Sequence, residues 1–140
     1  MYDTILFPTD GSEATIEAAK HAFSHAERYD ASIHVLSIVE LAGGLGTVGR
    51  DEAEIDERRA ERAEAAERIV SKTAPDAVEA TIAVEVGSPA RVITEYVDRH
   101  AVDLVVMSTK GRSGASRIVF GSITDEVVRR ASAPVLAVRR

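Results

Sequence analysis

The sequence predicts an α/β fold: one doubly wound, open, five-stranded parallel sheet in the order 3-2-1-4-5, with helices on both faces. Three observations predict it. Five short apolar runs rich in β-branched residues alternate with four segments of helical periodicity. The helical segments are ten or more residues long, and crossovers of that length join parallel strands. Right-handedness of such crossovers then leaves few topologies, of which this strand order is a common one. At 140 residues, 45% hydrophobic and 29% charged, the chain has the size of one domain spanning residues 1–140. A core of that size is stable without disulfides or a structural metal.

Residues 2–7 read as a short buried strand, ended by Pro8-Thr9-Asp10-Gly11. From Ser12, an N-cap residue type, the period changes: Ile16, Ala19, Phe23 and Ala26 mark the inner face of a helix reaching about Tyr29. The second strand is residues 32–39 (SIHVLSIV), followed by a glycine-rich loop over 40–50. A long charged helix spans 51–73, its narrow apolar stripe being Ile55, Ala66, Ile69 and Val70. Pairs such as Glu54 with Arg58 on its solvated face contribute about 0.2–0.5 kcal/mol each. The third strand is 79–86. Gly87-Ser88-Pro89 then supplies a turn, an N-cap and a first-turn proline for a helix through His100. Residues 102–107 (VDLVVM) form a nearly all-apolar and therefore central strand. After a loop over 108–120, Ser122 opens the last helix, with Asp125 as half of a capping box. Residues 133–138 (APVLAV) are the fifth strand.

Composition removes several function classes. There are no cysteines, hence no thiol catalysis, disulfide or thiolate metal site. The net charge of −6 gives no overall attraction to nucleic acid or to an anionic membrane. The first residues lack a basic signal-peptide segment, and no apolar run approaches the roughly 18 residues of a membrane span. A cytoplasmic location is the expectation. The P-loop pattern and the G-x-S-x-G elbow are both absent. Gly44 to Gly49 match G-x-G-x-x-G, but the run neither leaves a strand directly nor starts a helix. It reads as a loop that could close over a ligand. His21 and His25, spaced i, i+4, have no third ligand in view and read as surface residues.

In a 3-2-1-4-5 sheet the strand order reverses between strands one and four, and the crevice at their carboxyl ends is where ligands bind. The outgoing loops there begin at Pro8-Thr9-Asp10 and at Ser108-Thr109-Lys110-Gly111. Gly111, Gly114 and Gly121 permit close backbone approach. Gly121-Ser122-Ile123 opens a helix whose unpaired N–H groups form an anion site. The Ser122 and Thr124 hydroxyls are candidate donors to phosphate oxygens or ligands for Mg²⁺, and Lys110, Arg112 and Arg117 add local positive charge. Across the crevice, Asp10 is placed to accept hydrogen bonds from ribose hydroxyls. Taken one at a time, the same features read as an Asp10 helix cap, a turn with an N-cap at Gly121-Ser122, and solvated arginines.

The segment 107–128 (MSTKGRSGASRIVFGSITDEVV) resembles the nucleotide signature of ATP-binding universal stress proteins, G-x2-G-x9-G-[ST]. Gly111 matches the second glycine, and Gly121-Ser122 match the end. Ser108 stands where the first glycine belongs. The opening ILFPTDGSEA and the closing APVLAV also resemble that family, so the similarity spans the chain. It implies Asp10 at the ribose with Pro8 and Thr9 beside it, and the Ile38 backbone and Met107 flanking adenine. It also implies Gly111, Arg112, Gly121, Ser122, Ile123 and Thr124 around the phosphates. It further implies an ATP-binding stress regulator, with or without Mg²⁺, that dimerises through the last strand and acts on a protein partner. Two other readings remain open: a dimeric interaction module without nucleotide, and a slow ATPase.

Overall fold

The computed structural model describes residues 1–40, 52–109 and 121–139. Five strands, β1 (Thr4–Pro8), β2 (Ser32–Val39), β3 (Ala80–Val86), β4 (Leu104–Ser108) and β5 (Val135–Val138), form one sheet in the order β3-β2-β1-β4-β5. Every neighbouring pair is parallel. Four helices, α1 (Ile16–Tyr29), α2 (Glu52–Thr73), α3 (Pro89–Arg99) and α4 (Ser122–Arg130), make the crossovers. The fold class and strand order are as expected.

Alternate residues of each strand feed two separate cores. Ile5, Phe7, Ile33, Val35, Leu104 and Val106 pack with Phe23 and the alanines of α1, and with Ala66 and Ile69 of α2. On the other face Leu6, Leu36, Val105 and Met107 pack with Ile93, Tyr96 and Val97 of α3 and with Val127 of α4. Because both faces are covered, the central strands carry apolar residues throughout, and each large side chain so buried contributes about 1.5–3 kcal/mol.

Element boundaries depart from expectation where side chains compete for the backbone. β1 begins at Thr4 rather than residue 2; Tyr2 packs edge-on against Tyr29 instead, ring centroids 5.0 Å apart. Pro8 extends the strand at its last position, where its missing N–H breaks no later rung. A single 3-10 turn, Glu13–Thr15, intervenes before α1, so Ser12 does not cap the α-helix, and its hydroxyl is buried without a partner among the described residues. In α2 the buried residues are Ala65, Ala66 and Ile69, while Ile55 stays half-exposed. Glu54 and Arg58 do pair, at 3.7 Å on an exposed face. Gly121, not Ser122, is the N-cap of α4, so no capping box forms and Asp125 pairs with Arg129 at 3.0 Å.

On the α3 face lies a cluster that sequence periodicity gave no hint of. His34 of β2 shares a 2.6 Å hydrogen bond between Nδ1 and the Tyr96 hydroxyl. His100 stacks on Tyr96 with centroids 4.0 Å apart and lies 5.2 Å from the His34 ring. Burial, and then the charge of His100, hold the His34 imidazole below its ordinary value. Burial chiefly, then Glu85, pushes the Tyr96 phenol up, with Arg99 opposing. A folded-state pKa below the unfolded one means that the unfolded chain takes up the proton first. Stability from His34 is therefore full above about pH 6.5 and is lost as pH falls from there through the folded value. Melting temperature should decline between pH 7 and pH 5, and less steeply in His34→Gln, which keeps a hydrogen-bonding side chain but has no charge to gain. Equal declines in the two proteins would contradict this.

Candidate functional site

At the carboxyl end of the sheet, where β1 and β4 lie side by side, is a cleft of about 480 Å³. Three stretches of chain form its two lips. The first leaves β1. Thr9 donates its main-chain N–H to the Leu36 carbonyl at 2.9 Å, continuing the ladder one step beyond the strand. Its hydroxyl accepts the Gly11 N–H at 2.9 Å and lies 2.7 Å from the Thr15 hydroxyl, which itself donates to the Ser12 carbonyl at 2.7 Å. With Thr15's one proton so engaged, Thr9 is the donor between the two hydroxyls. Asp10 Oδ1 accepts the Ser12 N–H at 2.9 Å, an Asx turn that fixes the carboxylate relative to its own backbone. Gly11 follows at φ +80°, and a Cβ there would lie 2.4 Å from the Ala65 Cβ.

The second stretch leaves β4. Thr109 N–H continues the ladder to the Val138 carbonyl at 3.0 Å, and the Thr109 carbonyl accepts the Gly121 N–H at 3.1 Å. The third is the start of α4. Gly121 has extended backbone (φ −64°, ψ 158°), its carbonyl accepting the Asp125 N–H at 2.9 Å. The amides of Ser122, Ile123 and Thr124 lie in the first turn of the helix, which itself supplies no acceptor for them, and about half a positive charge gathers there. Thr124 is 3% exposed and donates its hydroxyl to the Ser108 carbonyl at 3.0 Å, pinning α4 to the end of β4. Its one hydroxyl proton is thus engaged with Ser108, while Thr124 still lines the cleft. The Ser108 hydroxyl donates to the Ala14 carbonyl at 3.2 Å.

Pro8, Thr9, Asp10, Ile38, Met107, Ser108, Gly121, Ser122, Ile123 and Thr124 all line this one cleft. Lys110, Gly111 and Arg112 lie outside the described residues, as does the loop of Gly44 to Gly49. Sequence reading missed part of the wall. Leu36, Pro89 and Ile93 join Ile38 and Met107 to make one side apolar, and Glu40 and Arg62 add charge at the rim. In the sequence Pro89 is legible only as a helix start. Arg62 of α2 donates from Nη1 to the Asp10 carbonyl at 3.1 Å, across 52 positions of sequence. A second hollow of about 440 Å³ shares Glu40 and Arg62 but is otherwise lined by Val39, Glu54, Glu57, Arg58 and Glu61. Its carboxylates repel anions and its lining is almost wholly polar. The first cleft instead combines an apolar wall, a helix N-terminus and a carboxylate. It can therefore take a flat apolar ring, a polar sugar and an anionic group in sequence.

Comparison with known proteins supports the family and the fold. Residues 1–139 match the model of the universal stress protein family. A universal stress protein of Methanocaldococcus jannaschii is 34% identical over 142 aligned positions, covering 100% of this chain and 84% of that protein. Among solved structures, universal stress protein UspA from Lactobacillus plantarum superposes with a TM-score of 0.80 at 28% identity, covering 99% of this chain and 98% of its own. A universal stress protein in complex with cAMP shares the fold at a TM-score of 0.65 and 24% identity, covering 98% and 97% of the two chains.

Proposed function

Starting from the premise that the chain belongs to the universal stress protein family, we propose that it is an adenine-nucleotide-binding regulator, with ATP as the ligand. One observation carries this reading: Asp10 and the first amides of α4 form the two lips of a single cleft with an apolar wall. Adenine lies between Ile38 and Met107, the ribose hydroxyls donate to Asp10, and the phosphates rest on the amides of Ser122 to Thr124. Gly111, Arg112 and Lys110 complete the phosphate end. A family neighbour in complex with cAMP supports the choice of an adenine nucleotide.

The reading is of a binder rather than a catalyst. The two carboxylates of α4 are engaged in ion pairs, Asp125 with Arg129 at 3.0 Å and Glu126 with Arg130 at 2.5 Å. Among the described residues there is no group of three histidine or carboxylate side chains able to hold a metal. Mg²⁺ would arrive with the triphosphate, as a counter-charge to it. Occupancy of the cleft changes affinity for a protein partner in the cytoplasm. The chain acts as one domain, residues 1–140, paired with a second copy through β5. That strand is a sheet edge, and Val135, Leu136 and Ala137 along it are half-buried.

Calorimetric titration of the protein with ATP, with light scattering on the same sample, tests this. Saturable 1:1 binding per chain and a mass twice 15.0 kDa are expected. A dimer that takes up no ATP would leave the interaction-module reading in its place, and a monomer would remove the β5 pairing.

A further inference from the structure

Helix α2 holds the turn that follows β1 at three points. Arg62 donates to the Asp10 carbonyl at 3.1 Å. Ala65 packs against Gly11 so closely that no Cβ fits between them. Lys72 reaches Glu13 at 3.4 Å. The last contact is exposed and contributes little, and the second excludes space without orienting a polar group. Arg62 is different. It is half-buried, it lines the cleft, and among the described residues it is the one cationic side chain that does. The Asp10 carboxylate is tied to the Ser12 N–H and its carbonyl to the guanidinium, so the residue is gripped on both sides of its Cα.

We infer that Arg62 is a positioning residue for the sugar: by holding the Asp10 carbonyl it aims the Asp10 carboxylate into the cleft, and so couples α2 to nucleotide binding. This rests on the nucleotide reading above. A charge-assisted hydrogen bond to a half-buried carbonyl is strong enough to matter. Arginine suits the task because its rigid fork keeps its direction after one donor is engaged. Residues that act through one another are non-additive on mutation.

The test is a double-mutant cycle on the full chain, using Asp10→Ala and Arg62→Met, with affinity for ATP read by calorimetry. Arg62→Met alone weakens ATP binding about tenfold, the size expected for losing one charge-assisted hydrogen bond. In the Asp10→Ala background it weakens it no further. Arg62→Lys, which keeps a charged donor, recovers most of the loss. In the nucleotide-free protein, Arg62→Met speeds hydrogen exchange at the Ser12 amide, because the Asx turn loosens, while melting temperature changes little. Losses that multiply independently, or Ser12 exchange that does not move, overturn the inference. Failure of the unmutated protein to bind ATP overturns the nucleotide reading instead, since the exchange measurement on the free protein still reads the turn directly.

Discussion

Gly121→Asp should leave the protein folded and, with ATP in the cleft as proposed, weaken its binding at least about 100-fold in calorimetric titration. Position 121 is the N-cap of α4 in extended backbone that any residue adopts, with φ −64°. Aspartate is among the best N-cap residues, its carboxylate accepting the second or third helical N–H. Here those are the amides of Ile123 and Thr124. The mutant helix thus supplies its own anion to the site proposed for the phosphates, and adds repulsion between like charges. Two charge-assisted hydrogen bonds lost to the ligand correspond to about 3 kcal/mol or more, hence the hundredfold or greater loss. The added Cβ lies 3.3 Å from the Thr109 carbonyl, a contact requiring a shift of a few tenths of an ångström. Melting temperature should therefore stay within a few degrees, or rise. Gly121→Ala introduces the same Cβ without the carboxylate and should retain most of the affinity. Equal losses in the two variants would mean that space, not the helix amides, governs binding.

Gly11→Ala has the opposite character: it removes stability first. The residue sits at φ +80°, where an L side chain is strained by about 1–2 kcal/mol, and its new Cβ would lie 2.4 Å from the Ala65 Cβ. Overpacking a tight contact adds about 1–3 kcal/mol. A destabilisation of about 2–5 kcal/mol follows, lowering the melting temperature by roughly 10 °C. Adding Ala65→Gly opens the contact and should recover part of the loss, though the backbone strain and the weaker helix former remain. If the double variant is as unstable as the sum of the singles, the two positions do not meet as described.

The contrast between these glycines shows what could be read in advance. Strand order was legible because two buried faces impose continuous apolar runs such as ILF and LVVM, while α1 and α3 impose a 3.6-residue period; the two signals do not resemble each other. The two lips of the cleft were legible for the same reason, since topology alone brings the ends of β1 and β4 together. What sequence could not reveal was how side chains divide the backbone groups among themselves. Ser12 looks like a helix cap, yet the Asp10 carboxylate takes its N–H and the Thr15 hydroxyl takes its carbonyl. That the Thr124 hydroxyl gives its proton to the Ser108 carbonyl could not be read from the sequence either. Arg62 was invisible because it is one of several arginines on a charged helix. Only the packing of α2 on the β1 turn distinguishes it from Arg58 or Arg59. Ala65 was missed because alanine scarcely marks an apolar stripe, although its small size is what lets Gly11 approach.

The most direct measurement is a map of backbone amide shifts on adding ATP. Nucleotide in the cleft predicts the largest changes at Asp10 to Ser12 and at Ser122 to Thr124, with smaller ones at Ile38 and Met107, all saturating with one dissociation constant. Changes confined to β5 or to the solvent face of α2, with the amides at the start of α4 unmoved, would contradict it.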